Sequence, residues 1–121
     1  MKLRLHNNSV RLRLNQNETA VLGAGKSVEA ETVLGGGALR YSIVPREGSM
    51  EACSTSSGIT VFVPAARLAA WSSSDEVGIY ATQNVGGAEL QILIEKDFQC
   101  LHREDDEENA GAFPNPALSK G

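Results

Sequence analysis

The stretch Gly58–Ile79, G-I-T-V-F-V-P-A-A-R-L-A-A-W-S-S-S-D-E-V-G-I, decides the fold. It reads as strand, proline, short helix, polar turn and strand. Shifted back by 49 positions, Ser9–Ala30 carries the same element: S-V-R-L-R-L-N-Q-N-E-T-A-V-L-G-A-G-K-S-V-E-A. Val10 answers Ile59, Leu12 answers Val61 and Leu14 answers Val63. Leu22 answers Trp71, and Val28 answers Val77. The chain is therefore read as a duplicated element.

Working outward, Lys2–His6 alternates, with Leu3 and Leu5 on one face and Lys2, Arg4 and His6 on the other, as a half-buried strand requires. Asn7-Asn8 supplies turn chemistry, and Val10–Leu14 alternates again with Arg11 and Arg13 outward. The two runs predict a hairpin with a shared basic face. Asn15 and Glu18 have capping-box spacing, and Gly23 and Gly25 end a short helix. Val28–Val33 and Ala38–Val44 predict two more strands around Gly35-Gly36-Gly37, with Leu39, Tyr41 and Ile43 on one side.

The second half repeats that order. Met50–Thr55 is a weak strand of small polar residues and Ile59–Val63 a strong one. Pro64 opens the helix Ala65–Trp71. Strands Glu76–Thr82 and Glu89–Glu95 follow, with Leu90, Ile92 and Ile94 inward. A single unit of roughly 45 residues buries little surface alone, whereas two units can close over one another. The expected fold is α+β, mostly β: a strand-strand-helix-strand-strand unit written twice, closing a pseudo-two-fold β-barrel of about eight strands capped by two short helices. The expected organisation is one barrel domain over residues 1–97, built of repeats 1–49 and 50–97, and an acidic C-terminal tail over 98–121 expected to be mobile.

Composition is that of an ordinary globular chain, 41% hydrophobic and 21% charged over 121 residues. M-K-L-R-L-H lacks the apolar core of a secretion signal, and no apolar run approaches a membrane span. Cys53 and Cys100 have no partner pattern, so free thiols in a reducing cytoplasm are expected. Charge is unevenly placed: +3 over residues 1–49, −4 over 50–99 and −3 over 100–121. The basic first part either attracts the acidic remainder or faces an external anion.

The unit order, Pro64, the short helix and the S-D-E-V turn resemble the swapped-hairpin domains of AbrB-type regulators and MazE-type antitoxins, over Lys2–Val44 and Met50–Glu95. The resemblance implies a chain equivalent to a fused dimer, although the first copy lacks the proline. The whole sequence also resembles an uncharacterised bacterial family of similar length. The residues carrying that likeness are M-K-L-R-L, N-S-V-R-L-R-L at Asn8–Leu14, W-S-S-S-D-E-V-G-I at Trp71–Ile79, E-K-D-F-Q-C-L at Glu95–Leu101 and F-P-N-P at Phe113–Pro116. It implies no activity.

Candidate sites are few. G-A-G-K-S at Gly23–Ser27 has the letters of a phosphate loop, but the helix precedes it instead of following, so it reads as a helix-ending turn. Cys100 and His102, with Asp105 and Asp106 beyond, have too few ligands at close spacing for a structural metal site and remain the weak metal candidates. Cys100 with His102 or His6 is the thin basis for nucleophilic catalysis; no family signature surrounds either thiol. Lys2, Arg4, Arg11 and Arg13 are the nucleic-acid candidates, yet their counterparts Glu51, Cys53, Thr60 and Phe62 are not basic, as a two-fold operator reader would require. Asp105, Asp106, Glu107 and Phe113 are candidates for holding a basic partner. The expectation is a non-enzymatic binding or regulatory module acting through protein contacts, monomeric or homodimeric, without cofactor or membrane. The alternatives are a weak DNA-binding regulator or antitoxin of swapped-hairpin type, and a small enzyme or metal-binding domain around Cys100 and His102.

Overall fold

A computed structural model describes residues 1–98. Eight strands and two helices follow in the order β1 (Lys2–Leu5), β2 (Ser9–Leu14), α1 (Gln16–Gly23), β3 (Val28–Leu34), β4 (Gly37–Pro45), β5 (Glu51–Ser54), β6 (Gly58–Val63), α2 (Ala65–Ser72), β7 (Gly78–Val85) and β8 (Ala88–Lys96). The unit β-β-α-β-β thus occurs twice, as the periodicity implies. The fold is α+β and mostly β.

The halves are interleaved. One sheet has the order β1-β2-β8-β7 and the other β3-β4-β6-β5, so each takes one hairpin from each half. The joins are parallel ladders, β2 on β8 and β6 on β4, while every hairpin is antiparallel. The registers of the leading hairpins agree at an offset of 49: Leu3 faces Leu12, and Ala52 faces Val61. Among the described residues the ladders make two four-stranded sheets and close no ring. At one seam a side chain stands in for a strand, where the Ala52 N–H on edge strand β5 donates to Gln83 Oε1 on edge strand β7 at 2.7 Å.

The expected pairing of Val28 with Val77 is corrected by the ladders. Val28 faces Ile43, and Ile79 faces Ile94, an offset of 51. Val77 is 50% exposed, whereas Val28 and Ile79 are buried. The second copy carries two extra residues between Ser72 and Ile79, compared with the stretch from Gly23 to Val28, and the strand starts at Gly78, not Glu76. Trp71 uses that longer turn: its indole N–H donates to the Val77 carbonyl at 3.2 Å.

The two helices start differently. Asn15 caps α1 by accepting from the Glu18 N–H at 2.9 Å, and Glu18 Oε1 accepts from the Asn15 N–H at 3.0 Å, a complete capping box. Pro64 precedes α2 as its cap residue with φ −55°, which fixes the entry angle without a side-chain hydrogen bond. Gly23-Ala24-Gly25 ends α1: Gly25 sits at φ +87°, and the Lys26 N–H returns to the Val21 carbonyl. These amides are used within the helix end, so the stretch is a turn and not a phosphate cradle.

The core is drawn from both halves at equivalent places: Leu12 with Val61, Leu14 with Val63, Ile43 with Ile94, and Leu22 with Trp71, all at 1% exposure or less. Thr19, the counterpart of Leu68, is buried and satisfies its hydroxyl on the Asn15 carbonyl at 2.8 Å. The helices pack on each other at Gly23 and Ser72, equivalent positions; a β carbon on Gly23 would stand 2.0 Å from Ser72 Oγ. Gly23→Ala should therefore lower stability by ~1–3 kcal/mol, the usual cost of overpacking. Ser72→Gly in the same chain should restore most of it, measured by urea denaturation followed through Trp71 fluorescence.

Candidate functional site

Strand alternation places Lys2, Arg4, Arg11, Arg13, Tyr80, Leu93 and Glu95 on the outer face of the β1-β2-β8-β7 sheet. Within the hairpin Lys2 lies opposite Arg13 and Arg4 opposite Arg11, two cross-strand pairs of like charge. Such pairs repel unless anions stand near. The swap brings one: Arg13 is directly opposite Glu95 of β8. Glu95 Oε1 lies 3.2 Å from Arg11 Nε and 3.6 Å from Arg13 Nε. Its other oxygen accepts from the Tyr80 hydroxyl at 2.9 Å. Lys2 pairs with Asp97 at 2.9 Å. Arg4 is exposed and makes no ion pair among the described residues.

Glu95 is therefore shared. Arg11 Nε is buried and has no acceptor in hydrogen-bonding geometry, although the carboxylate is close enough for an ion pair. Tyr80 owes its position to Gly78. A β carbon there would stand 2.6 Å from the Tyr80 hydroxyl oxygen and 2.8 Å from the Ile94 carbonyl. The ring is 56% exposed overall, but the hydroxyl lies over the bare backbone beside Glu95. Burial first, then the bond to Glu95 and its negative charge, hold the Tyr80 phenol above its ordinary pKa; Arg11 opposes them.

The equivalent face of the other sheet has different chemistry. Lys2 and Asp97 correspond to Glu51 and Arg46, and these pair at 3.7 Å with the charges exchanged. Arg46 also lies 3.8 Å from the centre of the Phe62 ring. The Cys53 thiol donates to Glu51 at 3.2 Å, and that bond, with burial and the carboxylate charge, raises its pKa and keeps it protonated. Cys53 is thus a poor nucleophile. A cleft of about 410 Å³ between the β3–β4 tip and the β5–β6 turn is lined by Leu34, Ala38, Leu39, Thr55, Ser56 and Ser57 with neighbouring glycines, and no acid or base faces it.

Of the residues singled out in the sequence, Lys2, Arg4, Arg11 and Arg13 are brought together on one face. Cys100, His102, Asp105, Asp106, Glu107 and Phe113 lie outside the described residues. Among the described residues no three His, Cys, Asp or Glu side chains converge to hold a metal ion, and no helix is long and apolar enough to cross a membrane. Gly78, Tyr80 and Glu95 escape a sequence-based site search. Alternation marks Glu95 as outward, but only the interleaving carries it to Arg11 and Arg13.

Residues 1–117 match the model of a family of unknown function, DUF7009, and the chain belongs to that family. No curated protein and no solved structure matches it.

In a Tyr41→Phe background the Tyr80 phenol should titrate above the ordinary tyrosine value, followed by phenolate absorbance. Glu95→Gln removes the charge and the carboxylate acceptor, so the midpoint should fall. By linkage, the stability tied to this raised value is present at neutral pH and is lost as pH rises through the folded-state pKa. Gly78→Ala should displace the ring and produce a similar fall.

Proposed function

We propose that this member of a family of unknown function is a non-enzymatic, bacterial, cytoplasmic binding module that takes a protein partner on the outer face of the β1-β2-β8-β7 sheet. In this reading residues 1–97 act as one pseudo-two-fold barrel, with the two sheets as its halves, and residues 98–121 as a separate tail. The observation that carries the reading is the convergence of Arg11, Arg13 and Tyr80 on Glu95. Arginine and tyrosine are the side chains that most often anchor protein interfaces. Here three of them are held on rigid strands around one carboxylate, which reduces the ordering cost of binding. The shared carboxylate also lowers the positive potential, which favours a mixed polar partner over bare phosphate.

The test is capture from a bacterial lysate by the full chain. The expected result is one protein retained by the parent and by Arg40→Gln, which alters the opposite sheet, and lost with Arg4→Gln/Arg11→Gln and with Tyr80→Ala. Equal retention by all four would place the contact elsewhere and refute the reading.

A second reading rests on the cross-strand rows Lys2/Arg13 and Arg4/Arg11. The first hairpin would lie on duplex DNA, as the likeness to swapped-hairpin regulators implies. Four phosphate contacts would give a log K against log salt slope of about −0.9 per contact, roughly −4 in all. A slope near zero, or binding unaffected by Arg11→Ala/Arg13→Ala, would exclude it.

A further inference from the structure

We propose that the cleft between the β3–β4 tip and the β5–β6 turn is a binding site for a neutral primary carboxamide. It lies on the sheet opposite the face assigned above and does not rest on that assignment.

The internal repeat carries the argument, because the equivalent place in the other half holds such a group. The Gln91 N–H donates to the Asn8 carbonyl at 3.0 Å, and the Arg40 N–H donates to the Ser57 carbonyl at 2.8 Å. The two turns therefore sit on β8 and β4 in the same way, with Ser57 in the place of Asn8 and Ala38 in the place of Glu89. At the first place the Asn8 side chain bridges turn and strand: its Nδ2 donates to the Glu89 carbonyl at 2.7 Å. At the second, among the described residues, the shorter Ser57 side chain makes no such bridge and no donor reaches the Ala38 carbonyl.

The backbone explains what the cleft offers. N–H and C=O directions alternate along a strand. Arg40 turns its pair toward β6, so Ala38, two residues earlier, turns its own pair to the same side. β6 begins opposite Arg40, at Gly58, and no strand stands beside Ala38 on that side. One acceptor and one donor thus face the cleft, and a carboxamide carries the complementary donor and acceptor. The chain occupies another strand edge with the same group, where Gln83 Oε1 accepts from the Ala52 N–H at 2.7 Å.

The walls fit the rest of such a ligand. The cleft measures about 410 Å³, within the roughly 300–1,000 Å³ of small-molecule sites. Leu34 and Leu39 give apolar surface to a ligand stem, and Ser56 and Ser57 give hydroxyls. No acid or base lines it, so an ion would lose water without a paired charge, which selects a neutral amide over a carboxylate. Gly58 sets the floor: a β carbon there would stand 1.8 Å from the Arg40 carbonyl oxygen, so the turn lies against β4 because residue 58 has no side chain.

The experiment titrates the full-length chain with small probes and reads backbone amide shifts by NMR. The probes are N-acetyl-asparagine N-methylamide, its aspartate and alanine analogues, and propionamide. Saturable shifts are expected at Ala38, Ser56 and Ser57 with the asparagine probe. The aspartate and alanine probes should bind about tenfold more weakly or worse, the scale set by hydrogen bonds lost in a desolvated site. Propionamide distinguishes two sources of the same group. If it also saturates the site, the ligand is a free small amide; if only the asparagine probe does, the carboxamide is carried on a peptide. Ser57→Asn should reproduce the Asn8 arrangement and abolish the shifts, with unchanged shifts at Leu12 and Ile94 establishing that the core is intact. Equal binding of the alanine probe, shifts that survive Ser57→Asn, or no saturable shift in the parent chain would overturn the proposal.

Discussion

Two parallel ladders, β2 on β8 and β4 on β6, hold the structure together. Every other pairing is a local hairpin. These two join residues far apart in sequence, and each joins the halves of the duplication. Remove them and four isolated hairpins remain, which is marginal in water. The buried side chains follow from the same ladders: Leu12 and Ile94 sit opposite, as do Ile43 and Val61, and all four are fully buried. The helices close one end by packing Leu22, Leu68 and Trp71 onto that core.

The ladders also build the surface. Glu95 belongs to the second half and Arg11 and Arg13 to the first, and only the exchange of hairpins sets them side by side. Symmetry is kept inside and abandoned outside. Core partners are apolar in both halves with Thr19 as the exception, whereas outer partners change sign, as Lys2–Asp97 and Glu51–Arg46 do. A duplicated chain is free to specialise one face while its core stays nearly symmetric, and here Arg11, Arg13 and Tyr80 meet at Glu95 on one sheet only.

Much of the fold is legible in the residues because burial follows simple periods. Alternation in Val10–Leu14 and Leu90–Ile94 places the inward side chains, and the Asn15/Glu18 spacing marks the helix start. The offset of the repeat fails past α2, since two added residues in a polar turn leave no hydrophobic signature; Val77 looks like a core residue and is half exposed. The basic hairpin is legible too, but its electrostatics are not. Neutralisation by Glu95 depends on which strand lies beside β2, a tertiary fact. Tyr80 depends on Gly78 lacking a side chain, which reads in the sequence as a strand-breaking residue. Open edges favour pairing, but a side chain can occupy an edge without closing a ring of strands, as Gln83 does on Ala52.

The interleaving is the central claim, and backbone NMR tests it most directly. Cross-strand contacts between amide and α protons should link β2 to β8 around Leu12 and Ile94, and β4 to β6 around Ile43 and Val61, in parallel register. Contacts linking β2 to β4 inside the first half, and β6 to β8 inside the second, would contradict the exchange of hairpins and with it the shared Glu95.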